Sequence, residues 1–166
     1  MYRLIAALLL SGCIAGGTDG FRRPGPIYSN AVLEVPRLAG SWHQVAAFSR
    51  NPGCAMGGLE ITPDATGLAV SGKLCLGGRI RDISGRLRLS GPGRFTPDSP
   101  GFAGAEDEWW ILWADSGYRS LAIGTPSGDF GFVLDRGPVL PVDRKNAAQE
   151  IFDWNGYRLE HVHYAL

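Results

Sequence analysis

Three thiols and two closely spaced imidazoles carry most of the chemistry visible in this 166-residue chain. Cys13, Cys54 and Cys75 can be acylated, bridged or metal-bound, and an odd count leaves one to be used differently from the other two. His161 and His163, at i and i+2, could chelate a metal from one face of a strand. No third ligand accompanies them, so no metal is expected. Arg86, Arg88 and Arg94 could pair with a carboxylate or a phosphate, although such residues more often make a solvated face. Residues 67–73 copy the glycine and lysine count of a phosphate loop. They lack the following Ser/Thr and the strand-to-helix setting that such a loop needs. Three His supply raw material for Ser-His-Asp catalysis, but no Gly-x-Ser-x-Gly elbow is present. The chain is therefore read as a non-enzyme without a cofactor.

Cys13 stands apart by its surroundings. Arg3 precedes an apolar run at 4–10 that is far too short to span a bilayer. The run has the shape of a secretory signal. Its ending, Leu10-Ser11-Gly12-Cys13, resembles the bacterial lipobox. That resemblance implies a lipoprotein signal peptide at 1–12, cleaved before an acylated Cys13, the usual palmitate-type modification. Two or more acyl chains anchor stably where one does not. Ile14 in place of Asp implies the outer membrane, with the protein facing the periplasm. Export puts Cys54 and Cys75 in an oxidising compartment, where a disulfide is expected. Residues 13–32, rich in Gly and Pro, read as lipid anchor and flexible tether, leaving 33–166 as the folded domain.

The elements that position these residues are short. Gly is 24 of 166 residues and Pro is 11, which excludes a long-helix bundle and favours strands joined by turns. Sixteen Lys and Arg balance sixteen Asp and Glu, so no positive field recommends a nucleic-acid partner. Loss of Arg3 with the leader leaves a charge of −1.

With Cys54 opposite Cys75, residues 54–76 form a hairpin turning at 63–66. It sets Leu59 and Ile61 against Val70 and Leu68 on one apolar face. Further strands are expected at 40–49, 79–89, 108–115, 118–124 and 129–136, and a last one at 157–164. A helix is expected at 142–154, from Ala147, Ala148, Ile151 and Phe152 at helical spacing and Gly156 as its stop. In strand 40–49, strict alternation groups Trp42, Gln44, Ala46 and Phe48 on one face. Strand 108–115 is apolar on both faces, which suits a barrel wall with a cavity inside and a helix outside. The fold class is all-β.

At this point the chain resembles the bacterial outer-membrane lipocalins related to apolipoprotein D. Three stretches over about 33–164 carry the likeness. Residues 35–42 end in Gly40-x-Trp42, residues 110–126 run from Trp110 to Gly124-Thr125-Pro126, and residues 129–136 end in Arg136. His43-Gln44-Val45 stands where the family has Tyr-Glu-Ile, and 50–100 matches poorly. The resemblance implies an eight-stranded up-and-down antiparallel barrel with one C-terminal α-helix, its bottom closed by Trp42 with Arg136 packed across it. Guanidinium on indole is a favourable stack.

The function that the resemblance implies is binding of one hydrophobic ligand, a fatty acid or lysophospholipid, for lipid storage or transport in the cell envelope. The expected lining is Phe48, Leu59, Ile61, Val70, Trp110, Leu112, Phe130 and Phe132. The reversed parity at 109–113 would turn Trp109, Ile111 and Trp113 inward instead. Some relatives pair, so a homodimer is left open. The alternative is a structural or interaction lipoprotein with a filled barrel.

Overall fold

The computed structural model describes residues 20–50, 54–98 and 100–166. Residues 1–19, which include the expected signal peptide and Cys13, lie outside the described residues. The described residues form nine strands: β1 Gly40–Phe48, β2 Gly58–Asp64, β3 Gly67–Leu76, β4 Arg79–Gly91, β5 Arg94–Pro97, β6 Trp109–Ala114, β7 Ser120–Gly124, β8 Gly131–Asp135 and β9 Val162–Tyr164. One helix, α1 Val142–Trp154, follows β8 at the expected bounds. Neighbouring strands are antiparallel throughout, and β1 pairs with both β8 and β2, so the first eight close into a barrel. Strand β5 went unforeseen, because four residues among glycines and prolines give too little alternation to read.

A bulge explains how β1 serves three neighbours. Gly40 to His43 pair with β2, and Ala46 to Phe48 pair with β9 on the same edge. Between them the β8 register slips at Val45. The extra residue leaves Val45 and Ala46 both facing outward, so parity flips beyond it. Where β2 has left the ladder, the buried Gln44 amide takes its place. Its Nε2 donates to the Cys75 carbonyl at 2.8 Å, and its Oε1 accepts from the Cys75 N–H at 2.7 Å. An unpaired buried backbone group here would cost about 1–3 kcal/mol.

The β2–β3 hairpin keeps the expected faces in a register shifted by two residues. Ile61 opposes Val70 and Leu59 opposes Gly72. The shift comes from the turn. The Asp64 carboxylate accepts N–H bonds from Thr66 at 2.8 Å and Gly67 at 3.1 Å, which holds Ala65 and Thr66 in a tight two-residue connection. Moving by two preserves side-chain direction, as a slip of one would not. Cys54 therefore precedes β2 and reaches Cys75 from off the ladder, and the two form the expected disulfide with Cα atoms 5.6 Å apart.

Residues 20–32 contradict the flexible-tether expectation. Phe21 is buried against Phe48 at a ring separation of 6.0 Å. The buried Arg22 donates to the carbonyls of Asn155 at 2.7 Å, Pro126 at 2.6 Å and Pro26 at 2.8 Å. Farther along, the Tyr28 N–H meets the Asn155 side chain and the Asn30 N–H meets the Ile111 carbonyl, both at 2.7 Å. A Gly/Pro-rich segment without apolar period is thus a strap, held by backbone bonds and one guanidinium. The expected last strand is likewise mostly irregular: Tyr157 makes an isolated bridge to Arg22, and a 3-10 turn at Leu159–His161 precedes β9.

Two outcomes test this framework. Replacing both bridged cysteines with Ser should lower unfolding stability by roughly 3 kcal/mol, read by urea denaturation. Hydrogen bonds from the Thr66 backbone and hydroxyl, with Arg86 beside it, lower the Asp64 pKa to about 2. Its stabilising contribution is complete above the unfolded value near 3.8 and is lost as pH falls through about 2. Between pH 4 and pH 2 the wild type should therefore lose more stability than Asp64→Asn, and equal slopes would contradict this.

Candidate functional site

Two hydrophobic clusters divide the molecule. The barrel interior holds Trp42, Leu59, Ile61, Val70, Phe95, Trp109, Ile111, Phe130 and Phe132. A second cluster, outside the wall, packs Phe48, Leu112, Ala122 and Val133 under Ala148 and Phe152 of α1. Both faces of β6 are accordingly buried, as its sequence required.

Five of the eight expected lining residues lie inside, and three do not. Leu59, Ile61 and Val70 form part of the cavity wall. Phe130 and Phe132 are interior but sit in an aromatic group at one end. Phe48 points outward, with Phe152 at 4.8 Å and Tyr157 at 4.9 Å, because the Val45 bulge inverts its parity. Leu112 belongs to the outer cluster, and Trp110 packs on it. The reversed parity holds for Trp109 and Ile111 only. A second bulge between Ile111 and Trp113 turns Trp113 outward as well. Neither bulge is visible in residue types.

One end is closed as the resemblance implied. The Arg136 guanidinium lies 3.6 Å from the centre of the Trp42 ring. It donates to the carbonyls of Ser41 and Arg37, both at 3.1 Å. Trp42 Nε1 donates to the Leu38 carbonyl at 2.8 Å, which fixes the 3-10 turn Val35–Leu38 across the opening. Gly40, at φ +102°, allows the chain to enter β1 beneath Arg136. Tyr118 completes the seal: its hydroxyl accepts the Glu34 N–H at 2.7 Å, and Arg37 covers its ring at 4.2 Å.

The opposite end, the mouth, is stoppered by aromatics. The β5–β6 loop brings the buried Phe102 edge-on to Trp109 at 5.9 Å. Trp109 in turn meets Phe132 at 5.4 Å and Phe130 at 5.9 Å. Trp109 Nε1 donates to the Ala105 carbonyl at 3.0 Å, and the Ser84 N–H to the Gly101 carbonyl at 3.1 Å. Burial alone would raise the Asp107 pKa. Hydrogen bonds from Thr125, Ser127 and the Glu108 backbone outweigh it and hold the carboxyl below its ordinary value, tying this loop to the β7–β8 loop.

Between seal and stopper lies a cavity with a wholly apolar surface, walled by residues including Leu38, Leu68, Leu87, Leu121 and Ile123. Its free volume is only about 10 Å³, room for about one water. Alternation along β3, β4 and β7 could have found these walls.

The polar candidates are dispersed. Arg86 bonds Asp64 at 2.7 Å and Thr66 at 2.9 Å on the outer face at the sealed end, and Arg88 shares its parity there. Arg94 stacks outside on Trp110 at 5.2 Å. His163 meets the Ser49 carbonyl at 2.9 Å, while His161 lies edge-on to Phe21 at 5.8 Å, so the pair is not gathered into one site.

No family model matches the chain, and no curated protein matches it. Solved structures do. Apocrustacyanin C2 superposes with a TM-score of 0.57 at 16% identity, covering 79% of this chain and 78% of that one. Apocrustacyanin C1 gives the same values. The siderocalin Ex-FABP gives 0.55 at 15% identity, covering 77% and 89%. These neighbours are lipocalin-family proteins. The chain folds as a lipocalin barrel. At such identities the likeness concerns the fold alone, and the seal of Trp42 with Arg136 stands on the side-chain geometry of this chain.

Arg136→Lys keeps the charge but loses the planar stack and the fork of donors. It should lower unfolding stability by about 1–3 kcal/mol. A change below about 0.5 kcal/mol in chemical denaturation would mean that the seal contributes little.

Proposed function

We propose that this protein binds a slim apolar ligand inside the barrel. The observation that carries the reading is the interior itself: a cavity without polar surface, sealed at one end and stoppered at the other by the Phe102 loop. Sites for drug-sized ligands run to about 300–1,000 Å³, so entry requires the stopper to move. The magnitudes allow this. Burying an acyl chain of about fifteen methylenes yields roughly 12 kcal/mol gross, at about 0.8 per methylene. Exposing one Phe costs roughly 1.5–3 kcal/mol, and immobilising the ligand takes a further share of the gain. The preferred ligands are a fatty acid or a lysophospholipid, held for storage or transport in the cell envelope.

Acylation at Cys13 and attachment to the outer membrane, facing the periplasm, belong to the same reading. Seven residue steps separate Cys13 from Gly20, at most about 25 Å of chain. Gly20 sits against Ser127 and Gly128 in the β7–β8 loop at the mouth. A lipid on Cys13 therefore holds the mouth close to the membrane. Pairing into a homodimer is compatible with it and has no observation of its own.

Delipidated protein titrated with fatty acid should show a saturable change in Trp emission, since Trp109 lines the cavity. Absence of saturable binding for any acyl chain would contradict the proposal. It would favour the second reading, a filled barrel serving as a structural or interaction lipoprotein, which the near absence of free volume recommends.

Cys13→Ala should leave the protein unprocessed or soluble. Recovery of a mature membrane form would contradict lipidation.

A further inference from the structure

Two cations at the mouth share the inward parity of β4, the exposed Arg79 and the half-buried Arg81. Arg81 pairs with Leu74, an interior residue, and shares parity with the interior Ile83 and Leu87 along an unbroken register. Its guanidinium lies directly beneath the stopper. A Cβ added at Gly104 would stand 2.6 Å from both Cζ and Nε of Arg81, so the loop crosses the cation with glycine at φ +78°. Arg81 Nε is buried and has no hydrogen-bond partner among the described residues. The neighbouring Glu106 carboxylate is held mainly by backbone N–H groups, of Gly104 first, and feels Arg81 only as a nearby charge. A guanidinium has five N–H donors and cannot shed its proton. With its Nε donor buried and unmet at the mouth of an apolar cavity, it is poised for an anion that arrives when the loop lifts.

We infer that Arg81 is the headgroup contact for a single-chain anionic amphiphile, whose carboxylate or phosphate meets the guanidinium while its tail fills the cavity. This rests on the barrel being a ligand site at all. The anion takes the place of Gly104 over the guanidinium, adding to it the hydrogen bonds that Glu106 does not make, and Phe102 swings away with the loop. The neutral end of an uncharged lipid has nothing comparable to offer Arg81. Planar, two-pronged recognition suits carboxylate and phosphate alike.

The test compares laurate, a lysophosphatidate with a twelve-carbon chain, and 1-dodecanol, each titrated against wild type, Arg81→Gln and Arg81→Lys. The wild type is expected to bind at least one anion about tenfold more tightly than the alcohol, as one charge-assisted hydrogen bond provides. Arg81→Gln should erase that advantage and leave dodecanol unchanged, and Arg81→Lys should restore part of it. Whichever anion keeps the larger preference names the source of the headgroup. Acid and alcohol binding equally in the wild type, with Arg81→Gln neutral, would overturn the role of Arg81 and leave apolar binding intact. No binding of any of the three would overturn both. Unchanged far-UV dichroism and melting in Arg81→Lys guard against a folding artefact.

Discussion

Closure of the sheet through β1 is the constraint from which the other features follow. One strand must bond to β8 on one side and to two successive partners, β2 and β9, on the other. A straight strand cannot do this, and the bulge at Val45 bends it away from β2 just where β9 arrives. The wound left in the ladder is dressed by the Gln44 amide. Below the bulge, Trp42 points inward and receives Arg136. Above it, Phe48 points outward and receives α1 and the strap. Inside and outside are thus assigned by one extra residue.

The strap and helix depend on the same outer surface. Tyr157 fits because Gly124 and Gly131 leave room: a Cβ at either would meet its ring or hydroxyl within 2.8 Å. Its hydroxyl accepts the Thr125 N–H at 2.8 Å and donates to the Phe130 carbonyl at 2.8 Å. Burial pushes this phenol far above its ordinary pKa, so it stays a neutral donor at any physiological pH. At the far end of the helix, Arg144 pairs with the buried Asp135, which also accepts the Ser120 hydroxyl. Both ends of α1 are therefore pinned to the strands that flank the cavity, and freedom to move is left to the mouth loops.

What the residues announced in advance was whatever depends on local period or on a strong pair. The helix, the disulfide and the faces of the β2–β3 hairpin belong to that class, whereas the seal of Trp42 with Arg136 was implied only by the family resemblance. Three things were illegible for physical reasons. A bulge costs one residue and leaves no compositional mark, so Phe48 falls on the side opposite to its expected one, and in β6, apolar on both faces, nothing in the residue types chooses Trp109 and Ile111 over Trp110 and Leu112. The strap's order comes from Arg22 and backbone hydrogen bonds to residues more than a hundred positions away, which no local pattern encodes. Phe102 sits in a Gly/Pro-rich loop whose path over the mouth is set by Ser84 and Trp109. Arg81 could have been found, since it alternates with Ile83, but it was hidden among four arginines in ten residues.

A barrel with an apolar interior and almost no free volume is either a closed container or a solid plug, and the difference lies in whether the stopper opens. The most direct measurement is a crystal structure of the protein grown with laurate. The account predicts density for the chain between Val70 and Ile111, the carboxylate at Arg81, and Phe102 withdrawn from Trp109. An unchanged interior, with Phe102 still packed on Trp109 at saturating laurate, would contradict it.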